Sequence, residues 1–248
     1  METKIIQKLK EVEREHQVEV LFAIESGSRA WGFASPDSDY DIRFVYRHKK
    51  DWYLNLWEQK DTIQFMTEDD LDGSGWDIRK ALLLLSKTNA SFLGWLFSPV
   101  VYSEKEGMLE EFRKLAIENF NPVAAFYHYH SMNKGFDEVL SKKQVNIKRF
   151  FYFFRTALCA NWIAHEKGIP PVAFQELYEL IPEKCQAILN GLIVQKSKAG
   201  EKSDLQIPAK IVALAKQLVV ENETKKDQLK KEHINYEDFD VFFKKKVG

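Results

Sequence analysis

Hydrophobic residues recur at two different spacings along the chain, and the change of spacing divides it into two parts. In the first part, short apolar segments with strand character, such as 18–24 and 40–46, alternate with segments of helical spacing, the first of which is 3–17. Farther along, strand signals nearly vanish and helical spacing prevails. The sequence therefore predicts an α+β fold, with a small mixed sheet and flanking helices over residues 1–103 and an all-α helical bundle over 104–248.

The predicted first strand ends in a turn that has phosphate-binding character. It runs into Gly27 and Ser28, where glycine permits backbone conformations that a Cβ opposes. The serine hydroxyl and the backbone N–H groups that follow suit phosphate oxygens. Arg29 adds a positive charge beside them. We therefore expect Gly27, Ser28 and Arg29 to bind the phosphate groups of a nucleotide.

Two aspartates begin the next predicted strand. Alternate side chains of a strand share a face, so Asp39 and Asp41 point the same way, roughly 7 Å apart. Two carboxylates on one face repel each other unless a cation lies between them, and oxygen ligands with open positions suit Mg²⁺. Either motif alone is common in proteins, but a phosphate-binding turn followed by a pair of carboxylates is typical of nucleotidyl transfer from a nucleoside triphosphate (NTP).

The block GSRAWGFASPDSDYDIRFVY resembles the active-site block of the DNA polymerase β-like nucleotidyltransferase superfamily. The chain is similar, more narrowly, to the bacterial YcgL or RlaP family of predicted nucleotidyltransferases, which is associated with RNA repair. Three later segments carry this narrower resemblance: 76–89, 92–102 and 147–163. Two positions depart from the family pattern, Gly94 in place of an acidic residue and Ala90 in place of a proline.

The resemblance implies a third carboxylate on a neighbouring strand, which helps to hold the metal and acts as general base for the attacking hydroxyl. Asp77 is favoured because it matches the family position, directly before the predicted helix 79–87. A purely structural role is the other explanation for Asp77, since aspartate is a favoured helix cap. Asp72 is the alternative third carboxylate. The predicted metal set is therefore Asp39, Asp41 and Asp77, holding two Mg²⁺ ions.

The helix predicted over 145–166 is apolar almost all round, which is typical of the central helix of a bundle. Lys148, Tyr152 and Arg155 share one stripe of this helix, at i, i+4 and i+7. Two cations at the edge of a buried helix are expected to contact an anion. If the stripe faces the Gly-Ser turn, the expected anion is a triphosphate. Ion pairs with nearby glutamates are the alternative explanation.

Charge and composition limit the partners of the chain. Charged residues make up 29% of the 248 residues, yet the net charge is −1, so there is no global basic field of the kind that drives non-specific binding of nucleic acid. An RNA partner therefore needs a local basic patch, and the basic turn 47–50 is by default a solvated loop. No apolar run reaches the length of a membrane span, and the charged N-terminal helix is unlike a signal peptide. We expect a cytoplasmic protein with no membrane partner.

The residues and the resemblance together predict a Mg²⁺-dependent nucleotidyltransferase. It would move a nucleoside monophosphate from an NTP, with ATP the expected one, to an acceptor hydroxyl and release pyrophosphate. The resemblance implies an RNA end as the acceptor. Transfer of AMP to a partner protein, adenylylation of a small molecule and non-catalytic sensing of a nucleotide are the alternatives. Sensing is disfavoured because binding alone has little need of three metal-binding carboxylates.

Overall fold

The computed structural model describes residues 1–199 and 204–248, and a five-stranded mixed sheet lies in the first part of the chain. Its strands are β1 (Glu19–Glu25), β2 (Tyr40–Arg47), β3 (Thr62–Met66), β4 (Leu71–Asp77) and β5 (Val101–Glu104), in the spatial order β3-β4-β2-β1-β5. Strand β2 pairs antiparallel to β1 and parallel to β4, while β3 and β5 pair antiparallel to β4 and β1. This sheet confirms the predicted α+β class.

Helices make up most of the remaining chain. They are α1 (Glu2–His16), α2 (Gly27–Trp31), α3 (Ile78–Leu85), α4 (Ala90–Leu96), α5 (Met108–Glu118), α6 (Pro122–Met132), α7 (Phe136–Leu140), α8 (Ile147–Ala164), α9 (Glu183–Ala199), α10 (Ala209–Lys225) and α11 (Tyr236–Val247). Short 3₁₀ turns span Lys50–Leu54, Phe174–Leu180 and Lys226–Gln228, and the two-residue strands β6 (Val145–Asn146) and β7 (Asp204–Leu205) pair with each other. None of the helices in the described part of the chain is both long and apolar enough to cross a membrane.

The chain divides into two units, and the division differs from the single boundary near residue 103 that the sequence predicts. The first unit comprises Met1–Ala30, Asp39–Asn119 and His233–Gly248, and the second comprises Trp31–Ser38 and Phe120–Glu232. The first unit retains α5 because Phe112 packs edge-on against Phe22 of the sheet, with ring centroids 5.5 Å apart. It retains α11 because Phe242 packs against Phe112 at 4.9 Å.

Strand β4 is an element that the sequence pattern does not predict. Its sequence, LDGSGWD, contains two glycines, which weaken strand propensity, and residues 68–72 resemble a solvated connector. A Cβ at Gly73 would lie 2.1 Å from the ring of Phe65, and one at Gly75 would lie 2.1 Å from the ring of Phe44. The glycines are therefore compatible with the sheet because aromatic rings of the neighbouring strands fill the space above them.

Helix α8 is the centre of the second unit, as its nearly uniform apolar character predicts. Helices α6 and α10 and the turn at 174–180 pack against it. Aromatic rings fill the interior; Phe150 stacks on Phe154 with centroids 5.4 Å apart, and Phe151 packs against Phe33 at 5.0 Å. The segment 31–38 belongs to this unit because of such contacts.

Candidate active site

The Gly-Ser turn and Asp41 are in direct contact. Strands β1 and β2 pair Glu25 with Ile42, and just beyond this pair the N–H of Ser26 donates to the backbone oxygen of Asp41 at 2.8 Å. Gly27 has a φ of +61°, and a Cβ at this position would lie 2.0 Å from Oδ2 of Asp41. Glycine is thus needed for two reasons, because it adopts a left-handed conformation readily and because it leaves room for the carboxylate.

Arg43 lies between two carboxylates on neighbouring strands. The parallel register of β2 and β4 places Asp41 opposite Asp72. One guanidinium nitrogen of Arg43, Nη2, donates to Oδ1 of Asp41 and to Oδ2 of Asp72, each at 2.9 Å, so no more than twice that distance separates the two oxygens. The other nitrogen, Nη1, donates to the backbone oxygen of Asp72 at 2.8 Å. The two negative charges therefore share one cation, which relieves their repulsion.

Glu25 is a residue of this site that the sequence analysis missed. It is only 1% exposed, its Oε1 accepts the backbone N–H of Asp41 at 2.8 Å, and its Oε2 accepts the hydroxyl of Tyr102. Burial raises the pKa of the Glu25 carboxyl, and the nearby charge of Asp41 adds to that effect. A charged residue at the end of a buried strand, directly before the Gly-Ser turn, is the signal that identifies it. Glu25 fixes the backbone position of Asp41.

The other predicted residues of the turn surround the start of β2. Asp39 is exposed and directly precedes the strand. The Nε of Arg29 donates to the backbone oxygen of Asp39 at 3.1 Å, and its guanidinium lies 3.9 Å from the ring centroid of Tyr40. Ser28 is buried in the short helix α2. The structure thus brings Gly27, Ser28, Arg29, Asp39 and Asp41 together at one end of β2.

Asp77 lies at the opposite end of the strand pair. It pairs with Tyr46, five residues beyond the pair of Asp41 and Asp72, which is about 16 Å at roughly 3.3 Å per residue. Its Oδ1 accepts the backbone N–H of Arg79 at 2.8 Å and caps α3, and its Oδ2 accepts the Tyr53 hydroxyl at 2.7 Å. The register thus puts the alternative, Asp72, and not Asp77, opposite Asp41. Which of the two is the third carboxylate stays a prediction.

The carboxylates have the donor chemistry that a divalent cation needs, although a positive charge of the chain itself already lies among them. Among residues 1–199 and 204–248, no group of three or more His, Cys, Asp or Glu side chains is arranged as a ready-made metal site. The guanidinium of Arg43 instead lies between Asp41 and Asp72, at hydrogen-bonding distance from both. Two hard oxygen ligands that already share one positive charge fit a cation such as Mg²⁺.

The stripe predicted on α8 belongs to the second unit, and its members differ in environment. Lys148 is exposed, and the ring of Tyr152 lies 6.4 Å from that of Trp31. Arg155 is only 5% exposed; its Nη2 donates to the backbone oxygen of Val172 at 3.1 Å, and its guanidinium lies 4.9 Å from the Trp31 ring. Contact of these three residues with a nucleotide stays a prediction.

Comparison with known proteins finds relatives along nearly the whole chain. The sequence model of RlaP, described as the RNA repair pathway DNA polymerase beta family, matches residues 1–245. The uncharacterized protein YcgL of Bacillus subtilis (strain 168) is 41% identical over 208 residues, which are 83% of this chain and 80% of that protein. The crystal structure of a nucleotidyltransferase-like protein from Exiguobacterium sibiricum 255-15 aligns with 10% identity and a TM-score of 0.32, over 90% of this chain and 74% of that chain. The first two matches confirm the resemblance that the sequence motifs carry.

Proposed function

The chain belongs to the RNA repair pathway DNA polymerase beta family, RlaP, and from that membership we propose that it is a Mg²⁺-dependent nucleotidyltransferase. It transfers a nucleoside monophosphate from an NTP to an acceptor hydroxyl and releases pyrophosphate. One observation carries the proposal. Asp41 and Asp72 lie opposite each other on neighbouring strands, directly beside the turn at Gly27, and both pair with the guanidinium of Arg43. Such a pair is the arrangement that phosphoryl chemistry with metal ions needs.

Asp39, Asp41 and Asp72 are the residues that would hold Mg²⁺. When bound, the ions supply charge neutralisation and polarisation of the phosphate oxygens. The chain itself positions the ligands, since Glu25 holds the backbone of Asp41 and the sheet register holds Asp72. Arg43 offsets one of the two negative charges of Asp41 and Asp72 when no divalent ion is bound.

We assign Asp72, rather than Asp77, as the general base for the acceptor hydroxyl. The side chain of Asp72 is 36% exposed, so an acceptor can approach its carboxylate. Asp77 is nearly inaccessible to solvent, both of its oxygens accept hydrogen bonds within the fold, and burial raises the pKa of its carboxyl. A base must reach the proton that it removes, and exposure therefore decides between the two.

Gly27, Ser28 and Arg29 are proposed to contact the phosphates of the nucleotide, which is ATP in the simplest case. The support for this assignment is that the turn lies against Asp41, so phosphates bound there are adjacent to the carboxylates. Further contacts from Lys148, Tyr152 and Arg155 belong to the same proposal. The acceptor is proposed to be an RNA end, because the family description names an RNA repair pathway.

The first experiment incubates the protein with Mg²⁺, each of the four α-labelled NTPs in turn, and total cellular RNA mixed with a cell lysate. Wild-type protein is expected to label RNA, and Asp41→Asn is expected to lose the label by at least about 10²-fold, the scale on which metal-binding carboxylates contribute. Label in a single protein band would replace the RNA acceptor by a partner protein. Labelling of a small molecule would indicate adenylylation of that molecule, and no label from any of the four NTPs would refute the transferase.

A further inference from the structure

A cavity of about 900 Å³ lies within the first unit, and its lining is strongly basic. Six cationic side chains line it: Arg14, Arg47, Lys49, Lys50, Lys245 and Lys246. They come from the end of α1, from the end of β2 with the loop that follows, and from the end of α11. Three short clusters that are far apart in the sequence thus meet in one place, and we call this the basic cavity.

The basic cavity is a local exception in a chain whose net charge is only −1. Two carboxylate side chains also line it, and both have partners within the fold. Glu13 accepts the backbone N–H of Val20 at 2.9 Å, and Glu19 pairs with both Arg47 and Lys105. These carboxylates therefore do not neutralise the remaining cations of the lining.

Four of the six cations of the basic cavity define two kinds of environment. Arg47 and Lys246 belong to its framework, since Arg47 pairs with Glu19 and Lys246 pairs with Glu111 at 2.7 Å with only 12% of its side chain exposed. Lys49 and Lys50 are exposed, and within residues 1–199 and 204–248 neither makes an ion pair. The cavity thus combines fixed walls with lysines that are available to an external anion.

We propose that the basic cavity binds the phosphodiester backbone of an RNA strand, distant from the end that reacts; that the anion is RNA rests on the proposed function. Lysine and arginine side chains that neutralise successive phosphates supply most of the sequence-independent affinity for nucleic acids. A cavity of this volume with exposed lysines on a basic framework suits a chain of phosphates better than a single phosphate.

The position of the basic cavity predicts how long the RNA must be. Arg47 and Asp41 lie at the two ends of β2, six residues apart, which is about 20 Å at roughly 3.3 Å per residue. A strand with about 3.4 Å per nucleotide spans that distance with roughly six nucleotides. An RNA whose end lies at Asp41 therefore reaches the basic cavity only if it is longer than about six nucleotides.

The test measures the binding of a fluorescein-labelled single-stranded RNA of 20 nucleotides by anisotropy, without NTP and in EDTA, between 50 and 200 mM salt. The variant Lys49→Gln/Lys50→Gln is compared with Lys230→Gln/Lys231→Gln. The second variant removes the same charge from two consecutive exposed lysines that do not line the cavity. Each lost phosphate contact should lower the slope of log K against log[salt] by about 0.7 and weaken binding at 50 mM salt roughly eightfold. We expect the first variant to show this loss and the second to bind like wild type.

Equal weakening by the two variants would overturn the proposal, because general charge would then explain binding. Undetectable binding of RNA by wild-type protein, or binding that tripolyphosphate at equal phosphate concentration abolishes, would overturn it as well. A labelled RNA of four nucleotides should bind more weakly than the RNA of 20 nucleotides, because it offers fewer phosphates to the cavity. Thermal melting of every variant confirms that the fold is intact.

This test does not depend on catalysis. The variants Asp41→Asn and Asp72→Asn should bind RNA at least as tightly as wild type, since they remove negative charge elsewhere in the unit. If wild-type protein binds RNA through Lys49 and Lys50 but transfers no nucleotide, the proposed function fails and the basic cavity stands. If transfer occurs and is unaffected by either lysine pair, and RNA binding is unchanged too, the basic cavity fails and the proposed function stands.

Discussion

The two ends of the paired strands β2 and β4 each present an aspartate of β4, and the two aspartates have opposite environments. The side chain of Asp72 is 36% exposed and shares Arg43 with Asp41. Asp77 is 1% exposed, caps α3 and accepts the Tyr53 hydroxyl. The residue type is the same, and the strand is the same. Register and exposure are therefore the grounds on which we propose Asp72 for the chemistry and Asp77 for stabilising the fold.

The largest effect that tests this comparison comes from neutralising each aspartate. Asp72→Asn should lower nucleotidyl transfer by about 10²- to 10⁴-fold, the contribution of a general base, while Asp77→Asn should leave it within a few-fold of wild type. Rates are measured with α-labelled NTP under saturating Mg²⁺. The reverse result, loss in Asp77→Asn and activity in Asp72→Asn, would restore Asp77 as the third carboxylate.

The next effect concerns the contact between the turn and Asp41. Gly27→Ala places a Cβ against Oδ2 of Asp41, and the site is expected to lose at least about 10²-fold in transfer because that carboxylate must move. Gly32→Ala is the matched control, since Gly32 also has a positive φ, +86°, but its Cβ would meet nothing within 4 Å.

Both glycine variants should lose about 1 to 2 kcal/mol of stability, because an alanine is strained in the left-handed region. Chemical denaturation measures this loss alongside the transfer rate. Equal loss of transfer in the two variants would mean that backbone strain, and not the contact with Asp41, accounts for the effect.

A smaller effect is expected from removing the positive charge of Arg43, which lies between Asp41 and Asp72. Arg43→Gln should bind Mn²⁺ roughly three- to tenfold more tightly in the absence of NTP, because the ion no longer displaces a partly exposed ion pair worth about 1 kcal/mol. Mn²⁺ binding is followed by electron paramagnetic resonance. Arg47→Gln, on the same strand but paired with Glu19, is the control and should leave the affinity unchanged. Weaker binding in Arg43→Gln would mean that Arg43 orients the carboxylates for the metal.

The smallest effect tests the role of Asp77 in stabilising the fold. Asp77→Ala should lose about 1 kcal/mol of stability with the cap of α3, whereas asparagine caps almost as well and should lose a few tenths at most. Burial raises the pKa of folded Asp77, so the folded state holds its proton more tightly than the unfolded state does. The contribution of Asp77 to stability is therefore largest in acid and declines as pH rises through the unfolded pKa of about 3.9 towards the raised folded pKa.

Urea denaturation at a series of pH values measures this trend. The stability of wild type relative to Asp77→Asn should fall as pH increases above about 4, the ordinary range of an aspartate. A difference that stays constant with pH would contradict the inference that burial dominates the pKa of Asp77.

The sequence predicts strands β1 and β2 with the turn between them better than it predicts the neighbouring strand β4. The segment 18–46 is sufficient to predict β1, the turn and β2, because apolar runs, a glycine and alternating aspartates are all local signals. Strand β4 is not predicted, since Gly73 and Gly75 become favourable only when rings of β2 and β3 lie above them. The choice between Asp72 and Asp77 depended on that missing strand.

Two other features depend on contacts between distant parts of the sequence. The role of Glu25 requires the N–H of Asp41 and the hydroxyl of Tyr102, which no local pattern brings to it. The division into two units rests on ring contacts such as that between Phe112 and Phe242, more than a hundred residues apart. Spacing within one helix carries no information on such pairs.

The discontinuous first unit has a consequence for the order in which the chain folds during translation. The ribosome delivers 1–30 and 39–119 early, but α11 emerges only after all of 120–232. Until then Phe112 lacks the ring of Phe242, and the apolar surface that α11 covers is open to solvent. Domains generally fold as units as they emerge, so the second unit completes its core before the first, although the first begins synthesis earlier. The nascent first unit therefore exposes this apolar surface until its final helix emerges, and that interval is when a chaperone can bind it.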